Sequence, residues 1–183
     1  MKNKYLLRII SGKYRGKGII SPKDMTVRPT SARVKDSLFN ILRTDLFGAD
    51  FLDLFAGTGQ MGLEAVSNGA KCVFADKDVR LVRENISQIG CEDASGIVSG
   101  DFEFVAKTLL NQGKKFDFVF ADPPYENGYY ERIITCTLPL LKENGTLILE
   151  HSSDMRLEES EGYAIKDQRA YGSRALTFVG GKQ

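Results

Sequence analysis

Phe51-Leu52-Asp53-Leu54-Phe55-Ala56-Gly57-Thr58-Gly59-Gln60-Met61-Gly62 is the stretch on which the fold turns. An apolar run over 50–55 is too short for a helix, carries Asp50 and Asp53, and breaks at glycines spaced G-x-G-x-x-G. Helix-forming residues over 60–68 follow directly. Strand, glycine turn and helix in that order let the backbone approach a ligand closely, with helix N–H groups facing it. Outward from this unit the pattern alternates. Apolar runs at 72–75, 96–99, 116–121 and 145–150 have strand lengths, and stretches at 78–89, 101–111 and 128–141 have helical spacing. Strands alternating with helices imply right-handed crossovers and a parallel sheet covered on both faces. The tail, over 163–169 and 174–180 with Tyr171-Gly172 between, reads as an antiparallel hairpin. Ligands of such a sheet lie beyond the carboxyl ends of its strands, where the strand order reverses.

Before this alternation lies a different segment. Residues 6–11 and 17–21 read as short strands around Gly12-Lys13-Tyr14-Arg15-Gly16, a small hairpin, and a helix starts just after Pro29 with Val34, Leu38, Phe39, Ile41 and Leu42 at helical spacing. The chain of 183 residues carries 25 basic and 24 acidic side chains, a balance that argues against a polyanionic partner until it is divided. Residues 1–40 hold ten basic residues against two acidic ones, a charge of +8, so the other 143 carry −7. Such asymmetry suggests a basic arm for a polyanion on a mildly acidic body. No apolar run approaches the ~18 residues of a membrane span, and Arg8 interrupts any secretory leader. Cys72, Cys91 and Cys136 lack metal or disulfide spacing, so a reducing cytoplasm and no metal are expected.

Two acids define the chemistry around the glycine loop. Asp53 sits just ahead of it, where a carboxylate opposes a pyrophosphate but favours a cationic ligand. Asp76, 19 residues after Gly57, is placed to accept hydrogen bonds from ribose hydroxyls. Read alone, G-x-G-x-x-G with Asp76 also fits a nicotinamide oxidoreductase, and that reading stays open here. Asp53-x-Phe55-Ala56-Gly57-Thr58-Gly59 resembles the first motif of class I S-adenosylmethionine-dependent methyltransferases. That resemblance implies that Asp53 and the loop hold the methionine part of the cofactor. It further implies that Asp76 with Lys77 holds the ribose, and that Asp101 with Phe102 contacts the adenine. Asp101 is equally well placed to cap the helix that follows it.

The fourth strand of the alternating unit runs straight into Asp122-Pro123-Pro124-Tyr125. Each proline fixes φ and removes a backbone donor, so the turn is a rigid set of acceptors beside an aromatic face. An exocyclic amine offers two N–H donors and a flat ring. Asp122 and the Pro123 carbonyl would accept those N–H bonds, and Tyr125 would stack on the base. The tetrapeptide resembles the (Asn/Asp)-Pro-Pro-(Tyr/Phe) signature of amino-methyltransferases, whose members include adenine-N6 enzymes.

Further strings narrow the resemblance: Arg8-Ile9-Ile10-Ser11-Gly12-Lys13-Tyr14-Arg15-Gly16-Lys17, Arg28-Pro29-Thr30 through Leu38-Phe39-Asn40-Ile41-Leu42, and Arg169-Ala170-Tyr171-Gly172. With the two motifs above they resemble the RsmD family, the 16S rRNA guanine-N2 methyltransferases of bacteria. Lys35-Asp36 departs from the family's usual Arg-Glu. The fold implied is α/β and Rossmann-like, a seven-stranded, mostly parallel class I methyltransferase sheet with an antiparallel C-terminal hairpin and a small N-terminal β-hairpin extension. Residues 1–30 would form an RNA-docking arm and 31–183 the methyltransferase domain. The implied partner is 16S rRNA in an assembled or partly assembled small ribosomal subunit, met by a monomer. Arg8, Lys13, Arg15 and Lys17 would grip phosphates, and Arg28, Arg33 and Lys35 would steer a flipped guanine. A non-enzymatic RNA-binding module is the third reading. His151, the only histidine, is expected to pack or to lie at the surface, since methyl transfer to an oriented amine needs no matched base.

Overall fold

The computed structural model describes residues 5–22, 29–124 and 129–182. Strands β1 (Tyr5–Arg8) and β2 (Gly18–Ile20) pair as a two-stranded antiparallel hairpin, and helix α1 (Pro29–Leu42) follows. Alternation then begins with β3 (Asp50–Leu54), α2 (Gln60–Ser67), β4 (Lys71–Asp76), α3 (Arg80–Ile89), β5 (Ser95–Ser99), α4 (Phe102–Asn111) and β6 (Phe116–Ala121). Helix α5 (Tyr129–Thr137), β7 (Leu141–Ser152), β8 (Tyr163–Tyr171) and β9 (Arg174–Gly181) complete the chain.

One sheet of seven strands takes the order β5-β4-β3-β6-β7-β9-β8. All its neighbours are parallel except β9, which runs antiparallel to both β7 and β8. The order reverses between β3 and β6, so the crevice opens beyond Leu54 and Ala121, which are register partners. Two apolar clusters cover the sheet faces. Phe51, Phe74 and Ile148 face α1, α2 and α3, whereas Leu52, Val119 and Leu147 face α4 and α5. Alternation of buried residues between the two clusters is the period-2 signature of strands buried on both sides.

Two local departures from the expected boundaries have physical causes. The helix expected over 128–141 stops at Thr137, and a 3-10 turn covers Leu138–Leu140, because Pro139 lacks an N–H and disfavours helix in the residue before it. Strand β7 starts at Leu141 rather than 145. It takes five residues, from Leu141 to Thr146, while β6 advances only from Phe116 to Phe118, so β7 bulges there.

The N-terminal hairpin is seated on the body. Leu7, Ile9 and Ile19 are buried in the same cluster as Val34 and Leu38 of α1, Leu63 of α2 and Val82 of α3. Gly12, at φ +73°, permits the closest approach: a Cβ there would stand 1.9 Å from the Ser67 carbonyl oxygen. That carbonyl accepts from Lys13 N at 2.7 Å. The boundary expected at residue 30 falls within the first turn of α1.

Candidate active site

Helix α2 can pack tightly on β4 because its third loop glycine has no side chain. A Cβ on Gly62 would lie 2.3 Å from Phe74 Cε1 and 2.7 Å from Cys72 Sγ. This close packing brings the first turn of α2 over the end of β3. There Gly62 N donates to Asp53 Oδ2 at 2.8 Å, and Asp53 is 1% exposed. Burial raises the Asp53 carboxyl to about 7; the Gly62 hydrogen bond opposes this, and Asp76 and Asp122 add to it. A carboxyl so poised gains from any cation brought beside it, which suits a sulfonium and amino group and not a diphosphate.

Asp76 ends β4 with its carboxylate accepting from Gly57 N at 2.8 Å and Asp78 N at 3.1 Å. Phe55 holds φ 74°, a left-handed conformation costing about 1–3 kcal/mol in a bulky residue. This turns the chain away from the strand and leaves the ring over the crevice. Phe55, Phe102 and Tyr129 form a run of tilted rings, with centroids 5.7 and 5.5 Å apart. They line a cleft of about 300 Å³ together with Asp76, Lys77, Asp101, Pro124 and Arg132. Asp101 also caps α4, accepting from Phe104 N at 2.9 Å, so it serves the helix and the cleft wall at once. Ala56 and Thr58 are buried beneath the loop. Asn85 donates to the Thr58 carbonyl at 2.9 Å while bonding both the N–H and carbonyl of Ile20, so the loop is tied to the N-terminal hairpin.

The residues fit S-adenosylmethionine. Asp53 sits buried beneath the loop and Asp76 at the end of β4, aromatic rings line the cleft beside Asp76, and among the described residues no neighbour crowds a Cβ position on Gly57. Asp122 and Pro123 follow β6 at the mouth of this cleft, and Pro124 lines it. Burial raises the Asp122 carboxyl, and Arg174, at 3.5 Å, pulls it back down. Tyr125 and Arg28 lie outside the described residues.

Not every expected residue reaches the surface role assigned to it. Lys35 is corrected. Its ammonium is buried, 3.2 Å from Glu64 Oε2 and 2.7 Å from the Arg8 carbonyl, so it anchors α1 and cannot meet a phosphate. Lys17 is exposed but donates to the Ile89 carbonyl at 2.6 Å. Tyr14 likewise donates to Gly90, so the hairpin caps the C-terminal end of α3. Arg8 is exposed and donates to Gly16 O at 3.0 Å. Lys13, Arg15 and Arg33 are exposed. The hairpin turn meets the C-terminal ends of α2 and α3, at the end of the sheet opposite the cleft. With β3 five residues long, that separation is roughly 17 Å at ~3.3 Å per residue.

His151 packs in the core, with Nδ1 bonded to the Ser152 carbonyl at 2.8 Å and Nε2 to Thr177 Oγ1 at 2.7 Å. Burial lowers its pKa. Sequence reasoning missed Arg132, whose guanidinium lies 5.4 Å from the Phe102 ring centroid and 5.8 Å from that of Tyr129, held there by Glu103. It also missed Glu150 and Arg174. Among the described residues no helix is long and apolar enough to cross a membrane, and no group of three or more His, Cys, Asp or Glu could hold a metal ion.

A family model described as Conserved hypothetical protein 95 matches residues 7–180, nearly the whole of this arrangement. The chain belongs to that family, the RsmD family. The ribosomal RNA small subunit methyltransferase D of Haemophilus influenzae is 33% identical over 174 residues, covering 91% of this chain and 89% of the relative. The protein of the same name from Escherichia coli K12 is 35% identical over 145 residues, covering 77% and 69%. A solved structure, the hypothetical protein TTHA0928 of Thermus thermophilus, superposes with a TM-score of 0.81 at 32% identity, covering 96% of this chain and 99% of that one. This RsmD-family chain is a methyltransferase of the Rossmann-like class I fold.

Proposed function

We propose that this protein methylates the exocyclic N2 amine of a guanine in 16S rRNA, within an assembled or partly assembled small ribosomal subunit in the cytoplasm. The observation that carries the reading is the position of Asp122-Pro123-Pro124. A rigid, acceptor-rich turn stands at the end of β6, across the strand-order reversal from Asp53 and at the mouth of the aromatic cleft. The relatives named for small-subunit ribosomal RNA supply the substrate class.

S-adenosylmethionine supplies an electrophilic methyl group on a sulfonium. Asp53 and the backbone N–H groups of the glycine loop hold the methionine end, Asp76 and Lys77 the ribose, and Phe55, Asp101 and Phe102 the adenine. Asp122 Oδ and the Pro123 carbonyl accept the two N–H bonds of the guanine amine, and Tyr125 stacks on the base. Accepting both hydrogens turns the nitrogen lone pair out of the ring plane and favours the partly cationic nitrogen of the transition state. Bound there, the cofactor would supply its methyl group to that nitrogen and leave as S-adenosylhomocysteine, and the Asp122 carboxylate would take the proton that the nitrogen sheds. Arg8, Lys13 and Arg15 supply sequence-independent phosphate contacts at the far end of the sheet, and Arg28 and Arg33 steer the flipped guanine.

Mapping methylated guanines in rRNA from cells with and without the gene tests the substrate. Loss of one N2-methylguanine from 16S rRNA is expected, and an unchanged methylation map refutes the proposal. Asp122→Ala is expected to abolish turnover while S-adenosylhomocysteine still binds. A non-enzymatic module would tolerate that change, and a nicotinamide enzyme would bind NADH instead.

A further inference from the structure

Three neighbouring strands end in charge at the mouth of the cleft. Ala121 of β6 is paired with Leu149 of β7 in parallel, so the next residues, Asp122 and Glu150, emerge on the same face. Arg174 of β9 is paired with Ser152 in antiparallel, which puts it on the face shared by Glu150 two residues earlier. The side chains do meet. Arg174 Nη1 lies 3.0 Å from Glu150 Oε1 and 3.5 Å from Asp122 Oδ1. Exposure falls from the mouth inward, with side chains 42% exposed at Asp122, 16% at Arg174 and 8% at Glu150. A buried carboxylate therefore anchors a guanidinium that reaches outward to the half-exposed one.

We propose that Arg174, anchored by Glu150, is a positioning residue that keeps the Asp122 carboxylate ionised and aimed at the substrate amine. The proposal rests on the reading of Asp122 as the acceptor of that amine. Its physical basis is the requirement placed on Asp122. To accept an N–H bond with either oxygen it must carry charge and hold one rotamer. A carboxylate at an open strand end, with a second carboxylate behind it, meets neither condition unaided. The like charge favours protonation, and an exposed side chain rotates freely. A guanidinium between the two opposes both tendencies. Glu150 is pushed up by burial and by Asp122, as expected of two neighbouring acids.

Other described groups face this trio. Among the described residues the Tyr130 hydroxyl of α5 is buried without a hydrogen-bond partner, and its pKa is pushed up to about 12 by burial and by both carboxylates. Asp53 feels Asp122 across the crevice. The His151 ring stands edge-on to Tyr130 at 6.0 Å, with both ring nitrogens occupied.

The test is the pH profile of single-turnover methyl transfer to small ribosomal subunits at saturating cofactor. Arg174 lowers the Asp122 pKa, so Arg174→Met should raise it and move the acid limb of the rate upward. Opposite charges at such distances shift a carboxyl by 1–3 units; with Asp122 half-exposed, a move of about one pH unit is expected, which is a tenfold loss of rate on that limb. Arg174→Lys should restore most of the displacement, and S-adenosylhomocysteine affinity should stay within about twofold in both. Overlaid acid limbs for wild type and Arg174→Met, with any rate loss following thermal stability alone, would overturn the inference. Should Arg174→Met not fold, Arg174→Gln in the same assay decides: its acid limb must move upward, and a limb that overlays that of wild type overturns the inference. Asp122→Ala separates the two levels. If it retains full turnover, the reading of Asp122 fails. If it is inactive while Arg174→Met matches wild type at every pH, only the role of Arg174 fails.

Discussion

Glu64→Ala should destabilise the protein severely, although Glu64 touches neither the cleft nor the sheet. The Glu64 side chain is 0% exposed and that of Lys35 is 7% exposed, with 3.2 Å between their charged atoms. The carboxylate also accepts from Ile10 N at 3.0 Å, Ser11 N at 2.8 Å and Ser11 Oγ at 2.7 Å. Truncation strands a buried ammonium and two backbone donors. Breaking one side of a buried pair costs about 3–5 kcal/mol. For a domain of this size, each 1 kcal/mol lowers the melting temperature by roughly 2–4 °C, so a fall of about 6–20 °C is expected. Thermal and urea unfolding near neutral pH measure it. Lys35→Met alone should cost less, because Glu64 keeps its three hydrogen bonds from the hairpin. Combining Lys35→Met with Glu64→Gln removes both charges together, and its cost should fall short of the sum of the single changes by about 0.5–3 kcal/mol. A melting point within about 2 °C of wild type for Glu64→Ala, or strict additivity in the pair, would refute the reasoning that a buried ion pair holds the hairpin to the body.

Asp53, raised to about 7 when folded against 3.8 for the ordinary group, binds more protons in the native than in the unfolded state between those values. It therefore subtracts stability as pH rises from about 4 to about 7. Asp53→Asn should gain stability relative to wild type over that window in parallel unfolding curves, and should weaken S-adenosylmethionine roughly 10–100-fold in calorimetry through loss of a charged hydrogen-bond partner. Gly62→Ala forces a methyl group against Phe74 and Cys72 and should cost about 1–3 kcal/mol in denaturant unfolding. Charge reversal of Lys13 and Arg15 should weaken RNA binding and flatten its salt dependence by about 0.7–0.9 for each phosphate no longer neutralised, with S-adenosylhomocysteine affinity unchanged. Lys35→Met should leave the salt slope where it is.

What could and could not be read from the chain follows from the range of each interaction. The strand–loop–helix at 50–62 and the alternation after it are local patterns, and a pattern of period 2 or 3.6 survives folding because it is the reason for folding. Lys35 shows where a local pattern was available and a charge count concealed it. It lies three, four and seven residues before Leu38, Phe39 and Leu42, all buried, so helical spacing already puts it on the inner face of α1. Its partner Glu64, however, belongs to another helix, and nothing in the spacing announces it. Glu150 and Arg174 were further out of reach. Their meeting depends on β9 entering the sheet between β7 and β8, and on the bulge that sets the register of β7 against β6. A shift of one residue in that register would turn Glu150 to the other face of the sheet. Asp122 could thus be named from its tetrapeptide, whereas the groups that govern its charge are assembled by register. The same division recurs in the hairpin. Its basic residues were legible as charge, but the Ile89 carbonyl that Lys17 caps and the Ser67 carbonyl that seats Gly12 are over fifty residues away in sequence. A basic arm whose turn closes helix ends, and whose apolar face completes the core, is built into the fold, so RNA that docks there docks on the same packed body that holds the cleft.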